Sequence, residues 1–155
     1  MALTITNGAQ ALYMAVEMEK RAIRMYERLL LLDLDEATKA LVNRLLADEK
    51  SHLIRFSRHL EKAKCALEDA MLLRAQADDL LFAGGLSEMQ REGGLKSAER
   101  LLRYATEQED MAVERYAAFA EMSEGEAQAA FRLIADEERR HKQVLVSLSR
   151  KAREA

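Results

Sequence analysis

Leu46-Ala47-Asp48-Glu49-Lys50-Ser51-His52 is the stretch that decides how this chain folds. It lies within a helical pattern whose apolar stripe runs Leu41, Val42, Leu45, Phe56 and Leu60. Glu49 and His52 interrupt that stripe instead of lying opposite it, and a spacing of three residues puts both on one side of a helix. A near copy returns as Ala135-Asp136-Glu137-Glu138-Arg139-Arg140-His141, set in the stripe Ala130, Phe131, Ile134, Leu145 and Leu148. Two of the three histidines of the chain are used in this way.

Each of these helices has a partner carrying one further acid on its apolar face. Glu19 falls among Leu12, Ala15, Val16, Ala22, Ile23, Tyr26, Leu29 and Leu30, and Glu109 among Leu101, Leu102, Ala105, Ala112, Tyr116 and Phe119. The partners repeat each other as well: Glu17-Met18-Glu19 through Tyr26 parallels Glu107-Gln108-Glu109 through Tyr116. The repeat unit is a helix pair, and two copies give four helices. A single Glu-x-x-His on a helix is usually a solvated surface feature. Six such residues on apolar stripes, in repeat register, call for another reading.

Four carboxylates in a helical core are unfavourable unless protonated, paired or bound to metal. Two divalent cations would cancel four negative charges, and the histidines would add neutral nitrogen ligands. Oxygen-rich ligation with one nitrogen per ion suits iron or manganese better than structural zinc. Asp48 and Glu137 each stand four residues before a histidine of the motif, where they fit the acceptor that a ligating imidazole needs for its other N–H.

The rest of the chain agrees with an all-α fold. It holds no proline, no tryptophan and six glycines in 155 residues, and helix formers dominate. That length fits a single domain, residues 1–155. The periodicity predicts helices over about 6–32, 35–64, 97–122 and from 123 nearly to the C-terminus, with Ser97 as a cap. The short connections make each pair antiparallel. Residues 65–96 carry Gly84-Gly85 and Gly93-Gly94 and read as a long crossover, helical over Ala66 to Phe82. Net charge is -3 with both signs mixed, so no nucleic-acid partner is expected. Apolar runs such as Leu29 to Leu32 are far too short to span a bilayer, and the N-terminus lacks the pattern of a signal peptide. A cytoplasmic location with no membrane contact is expected. Cys65 stands alone, excluding a disulfide within the chain and a four-cysteine metal site. Methionines read as packing residues, and His59, with Phe56 three residues before it, as a buried or interfacial histidine.

With Glu19 and Tyr26, Asp48-Glu49-Lys50-Ser51-His52, Glu109 and Tyr116, and Glu137-Glu138-Arg139-Arg140-His141, the chain resembles the rubrerythrin branch of the ferritin-like carboxylate proteins. The resemblance covers both helix pairs. It implies a ferritin-like four-helix bundle with a non-haem di-iron centre that reacts with peroxide or oxygen. By that analogy Glu49 and Glu138 bridge the ions, Glu19 and Glu109 are terminal ligands, and His52 and His141 take one ion each. Tyr26 and Tyr116 then hydrogen-bond to carboxylate ligands across the site. The catalytic assignment falls on Glu49, Glu138, Tyr26 and Tyr116. Two departures stand out. Rubrerythrins commonly carry a rubredoxin module with paired cysteines, and many have an extra glutamate where this chain has Ala112. An external electron donor is therefore expected, and a simpler six-ligand oxidase site becomes credible.

The expectation is an oxidoreductase of peroxidase or ferroxidase type using two iron ions, with manganese or zinc as other occupants. Manganese catalase-like chemistry, iron handling and quinone-type hydroxylation use similar ligands, although no amphipathic membrane segment favours the last. A non-catalytic helical interaction module is the reading from a different class. The apolar crossover, with Met71, Leu72, Leu73, Leu80, Leu81 and Phe82, has surface to pack on the bundle, on a second subunit or on both; a homodimer is expected, and such crossovers can also be exchanged between subunits.

Overall fold

Helix signals in the sequence translate into five helices among the described residues. A computed structural model describes residues 5–63, 67–82 and 97–154. The helices are α1 (Gly8–Leu29), α2 (Glu36–Lys62), α3 (Leu67–Phe82), α4 (Ala98–Glu121) and α5 (Gly125–Glu154). Asn7, Asp35 and Ser97 cap α1, α2 and α4, each side-chain oxygen accepting from the backbone N–H three residues on. The first two helices are slightly shorter than the periodicity implies, because these caps fix the starts and the last apolar residues lie in the connections. Gly125 opens α5 at a φ of 58°, a left-handed conformation that favours glycine. Cys65, Gly84-Gly85 and Gly93-Gly94 lie outside the described residues.

Cross-helix contacts define the topology. Tyr26 meets Glu109 and Tyr116 meets Glu19, so α1 and α4 run antiparallel. Asp48 meets His141 and His52 meets Glu137, so α2 and α5 also run antiparallel. Lys151 near the end of α5 reaches Asp35 at the start of α2, 2.7 Å away. The order is therefore up, down, down, up, which requires a long crossover between the two pairs. This all-helical arrangement is compatible with the ferritin-like bundle expected from the sequence.

Two apolar clusters fill the bundle. One holds Met14, Met18, Phe56, Leu73, Tyr116, Phe119, Phe131 and Ile134. The other holds Met25, Tyr26, Leu29, Val42, Leu45, Leu101, Leu102, Leu145 and Leu148. Helix α3 packs on α1 and anchors itself through Leu73, which is fully buried. Its neighbours Met71 and Leu72 remain exposed. No helix among the described residues is long and apolar enough to cross a membrane.

Candidate metal centre

Glu19, Glu49, His52, Glu109, Glu138 and His141 are all buried, none more than 4% exposed, and they form one polar cluster in the bundle interior. The stripes that flank each acid dictate this: an apolar residue one turn before and after must face the core, so the acid between them must too. Each of the four main helices contributes one glutamate, and α2 and α5 each add a histidine.

The six residues fall into two overlapping groups. Glu19, Glu49, His52 and Glu138 place ligand atoms within 4.8 Å of one another, and so do Glu49, Glu109, Glu138 and His141. Glu49 and Glu138 belong to both. In each histidine Nδ1 faces the acids. His52 Nδ1 lies 2.8 Å from Glu138, 3.3 Å from Glu49 and 3.5 Å from Glu19. His141 Nδ1 lies 3.0 Å from Glu49, 3.5 Å from Glu138 and 3.7 Å from Glu109. The two imidazoles stack, with ring centres 5.7 Å apart.

The surrounding acids and phenols act across the helix pairs. The Tyr116 hydroxyl donates to Glu19 Oε1 at 2.8 Å, and the Tyr26 hydroxyl donates to Glu109 Oε1. His52 Nε2 meets Glu137, and His141 Nε2 meets Asp48 Oδ2 at 3.0 Å. Each acid thus serves the histidine of the facing helix instead of the one four residues along its own. The reason is geometric: the ring turns Nδ1 inward, so Nε2 points toward the neighbouring helix. His59 is half-buried and stands outside the cluster.

Burial and mutual charge set the electrostatics of the cluster. Burial pushes the Glu19 carboxyl well above its usual range, and the charge of Glu49 adds to that. Burial opposes charge on the histidines, but carboxylates outweigh it. His52 is pushed up to about 11 by Glu19 and Glu49, and His141 to about 11 by Glu109 and Glu49. The carboxylates that draw protons onto these histidines are the same groups to which a cation would bind. Glu19 Oε2 and Glu109 Oε2 are buried with no hydrogen-bond partner. Buried carboxylate oxygens that lack a donor are costly, and a cation would satisfy them. The donor set fits a dinuclear centre.

A cavity of about 30 Å³ opens beside the four glutamates, bordered by Met18, Arg21, Ala22, Met25, Gln108 and Ala112. It has room for roughly one or two water-sized molecules.

The rubrerythrin family model matches residues 100–155. That segment contains Glu109, Tyr116, Glu138 and His141, so one helix pair carries the family pattern and α1–α2 repeats it. The match is consistent with the rubrerythrin-like reading of the motifs, and a buried carboxylate–histidine cluster is what such a di-iron protein requires. No curated protein and no solved structure gives a significant match to the chain.

One feature escaped the sequence. Glu17 and Arg21, on the side of α1 opposite Glu19, are buried and paired at 3.1 Å. Periodicity reads that side as solvent-facing, yet both residues are enclosed, and Arg21 also borders the cavity together with Gln108 and Ala112 of α4. The spacing of four residues between opposite charges was the available signal.

Proposed function

We propose that this chain is a di-iron oxidoreductase that binds two ferrous ions in the bundle core and reduces peroxide or oxygen. The observation that carries this reading is the pair of overlapping ligand groups sharing Glu49 and Glu138. Glu49 and Glu138 would serve both ions, with Glu19 and His52 holding one and Glu109 and His141 the other. A ferrous pair supplies two electrons, the number that cleaves the O–O bond of a peroxide.

The protein's own groups set the conditions for that chemistry. Glu137 and Asp48 orient the imidazoles so that Nδ1 faces inward. Tyr26 and Tyr116 hold one oxygen of Glu109 and Glu19, leaving the second oxygen of each for a cation. The small cavity admits a molecule the size of peroxide or dioxygen and excludes bulky organic substrates. Ala112, where many rubrerythrins carry an extra glutamate, lines this cavity with only a methyl group. Cations bound by these groups would displace protons from the histidines and from Glu19, so loading would be coupled to proton release. Electrons for further turnover come from an external donor, and the exposed Met71 and Leu72 of α3 fit the contact surface of a homodimer.

An anaerobic iron(II) titration followed by peroxide and oxygen in parallel tests the proposal. Saturation near two ions per chain and oxidation by either agent are expected. The ratio of the two rates separates a peroxidase from an oxidase. Failure to bind iron sinks the reading and leaves a non-catalytic helical module.

A further inference from the structure

We infer that Met18 and Met25 accept an oxygen atom from peroxide held in the cavity beside the four glutamates, so that the cavity wall is itself an oxidation site. The inference rests on the reading that peroxide enters this centre.

Both methionines line the cavity although they are only 6% and 5% exposed. Both belong to α1. Their repeat mates on α4 are Gln108 and Arg115, so the two halves of the bundle differ here. The α4 side of the cavity presents Gln108, Glu109, Ala112 and Tyr116, and none of them offers peroxide a nucleophile as soft as a thioether sulfur. The thioethers are thus the soft, oxidisable atoms bordering a space that holds roughly one or two small molecules. Confinement next to the sulfur raises the effective concentration of the oxidant far above that in solution.

The step balances without another reactant. A sulfur lone pair attacks one oxygen of hydrogen peroxide, an S–O bond forms and the O–O bond breaks. The transferred oxygen loses its proton to the departing hydroxide, which leaves as water. Sulfur is oxidised by two electrons and peroxide is reduced by two, giving methionine sulfoxide. The new polar oxygen occupies space in the cavity, so each event narrows the room available to the next molecule of oxidant.

The order of oxidation distinguishes this from damage by free peroxide. Oxidation from bulk solvent follows exposure, which makes Met71, 65% exposed, the first target among the described methionines. Met14, on the same helix but not bordering the cavity, is 1% exposed and serves as a buried control.

The test loads the full chain with iron(II) under anaerobic conditions and measures the bound iron. A few equivalents of hydrogen peroxide are added, catalase removes the excess, and peptide mass spectrometry locates each added oxygen atom. Met18 and Met25 are expected to carry most of the sulfoxide, ahead of Met71 and with Met14 unchanged. tert-Butyl hydroperoxide, too bulky for the cavity, should reverse the order and oxidise Met71 first. Met71 leading with hydrogen peroxide overturns the inference, and so does Met18 and Met25 leading with the bulky oxidant. If iron binds and peroxide is consumed while Met18 and Met25 stay intact, the inference fails and the di-iron reading stands. If no iron binds, both fall.

Discussion

The layer of acids and histidines is nearly twofold symmetric, but the apolar clusters on either side of it are not. Around Tyr116 the packing is aromatic: Phe56 and Phe131 lie 5.1 and 6.0 Å from it between ring centres, and Phe119 lies 6.2 Å away. Tyr26 sits instead in a cluster of Leu29, Val42, Leu45, Leu101 and Leu145. The difference separates two kinds of constraint. Ligand chemistry demands a donor at each of six places and tolerates few side chains there. A core demands filled volume and accepts many solutions. A duplicated helix pair can therefore drift in its apolar ends while its centre stays in register.

The strongest way to break this picture is to unbalance the centre. Glu49→Ala or Glu138→Ala removes a residue common to both ligand groups, and each is expected to abolish binding of both ions. Glu19→Ala or Glu109→Ala touches one group only, so about one ion per chain should remain. Iron content after anaerobic loading and desalting reads the difference. Equal loss from all four variants would show that the residues shared in the geometry are not shared in binding.

The next largest effect probes the two ends. Phe131→Ala in the aromatic cluster is expected to cost about 4 kcal/mol, and Leu145→Ala in the aliphatic one about 3 kcal/mol. Urea unfolding of the metal-free protein measures both. The double variant should be additive to within about 0.5 kcal/mol if the ends are independent. A larger coupling would mean that the polar layer transmits packing strain.

Smaller still is the effect of the acids that brace the histidines. Asp48 precedes Glu49 on α2 but bonds to His141 of α5, and Glu137 of α5 bonds to His52 of α2. Asp48→Asn is therefore expected to weaken the ion held with His141, and Glu137→Gln the ion held with His52, each by roughly 10–100-fold. A spectroscopic titration that resolves tight from weak binding, combined with His52→Ala or His141→Ala, assigns the weakened ion. Asp48→Asn should add little to His141→Ala and much to His52→Ala. The reverse pattern would restore the own-helix pairing.

These pairings mark where sequence reading stopped. Which residues enter the core was legible, because Glu19, Glu49, Glu109 and Glu138 each interrupt a stripe whose period is unambiguous. Four main helices and a helical crossover were legible from caps and from the absence of breakers. Which Nε2 meets which acid depends on the rotation of a ring and the offset of two antiparallel helices, and neither leaves a trace in local spacing. The cavity is likewise a property of how α1 and α4 sit apart. Burial of Glu17 and Arg21 depends on how the other helices pack on α1, and a solvent-facing pattern on α1 carries no record of that.

The last effect is a change of sign in how pH acts on the empty and the loaded centre. In the metal-free protein the histidines are held up to about 11 against an ordinary value of 6.5. A raised folded-state value means that the folded chain keeps its protons where the unfolded chain has lost them. The resulting stabilisation is complete below about pH 6.5 and shrinks as pH rises toward 11. Metal-free protein should therefore melt lower at pH 9 than at pH 6.5, by several degrees, on the order of 2–4 °C for each kcal/mol lost in a chain of this size. Cations replace those protons in the loaded protein. Binding is then favoured by rising pH, because fewer protons have to be displaced. Loading should stabilise the fold more at pH 9 than at pH 6.5, so the gap between the two melting temperatures widens with pH. Differential scanning calorimetry of both forms across that range measures it. A gap that stays constant would mean that the histidines are already neutral in the empty centre, and that some other group balances the four carboxylates.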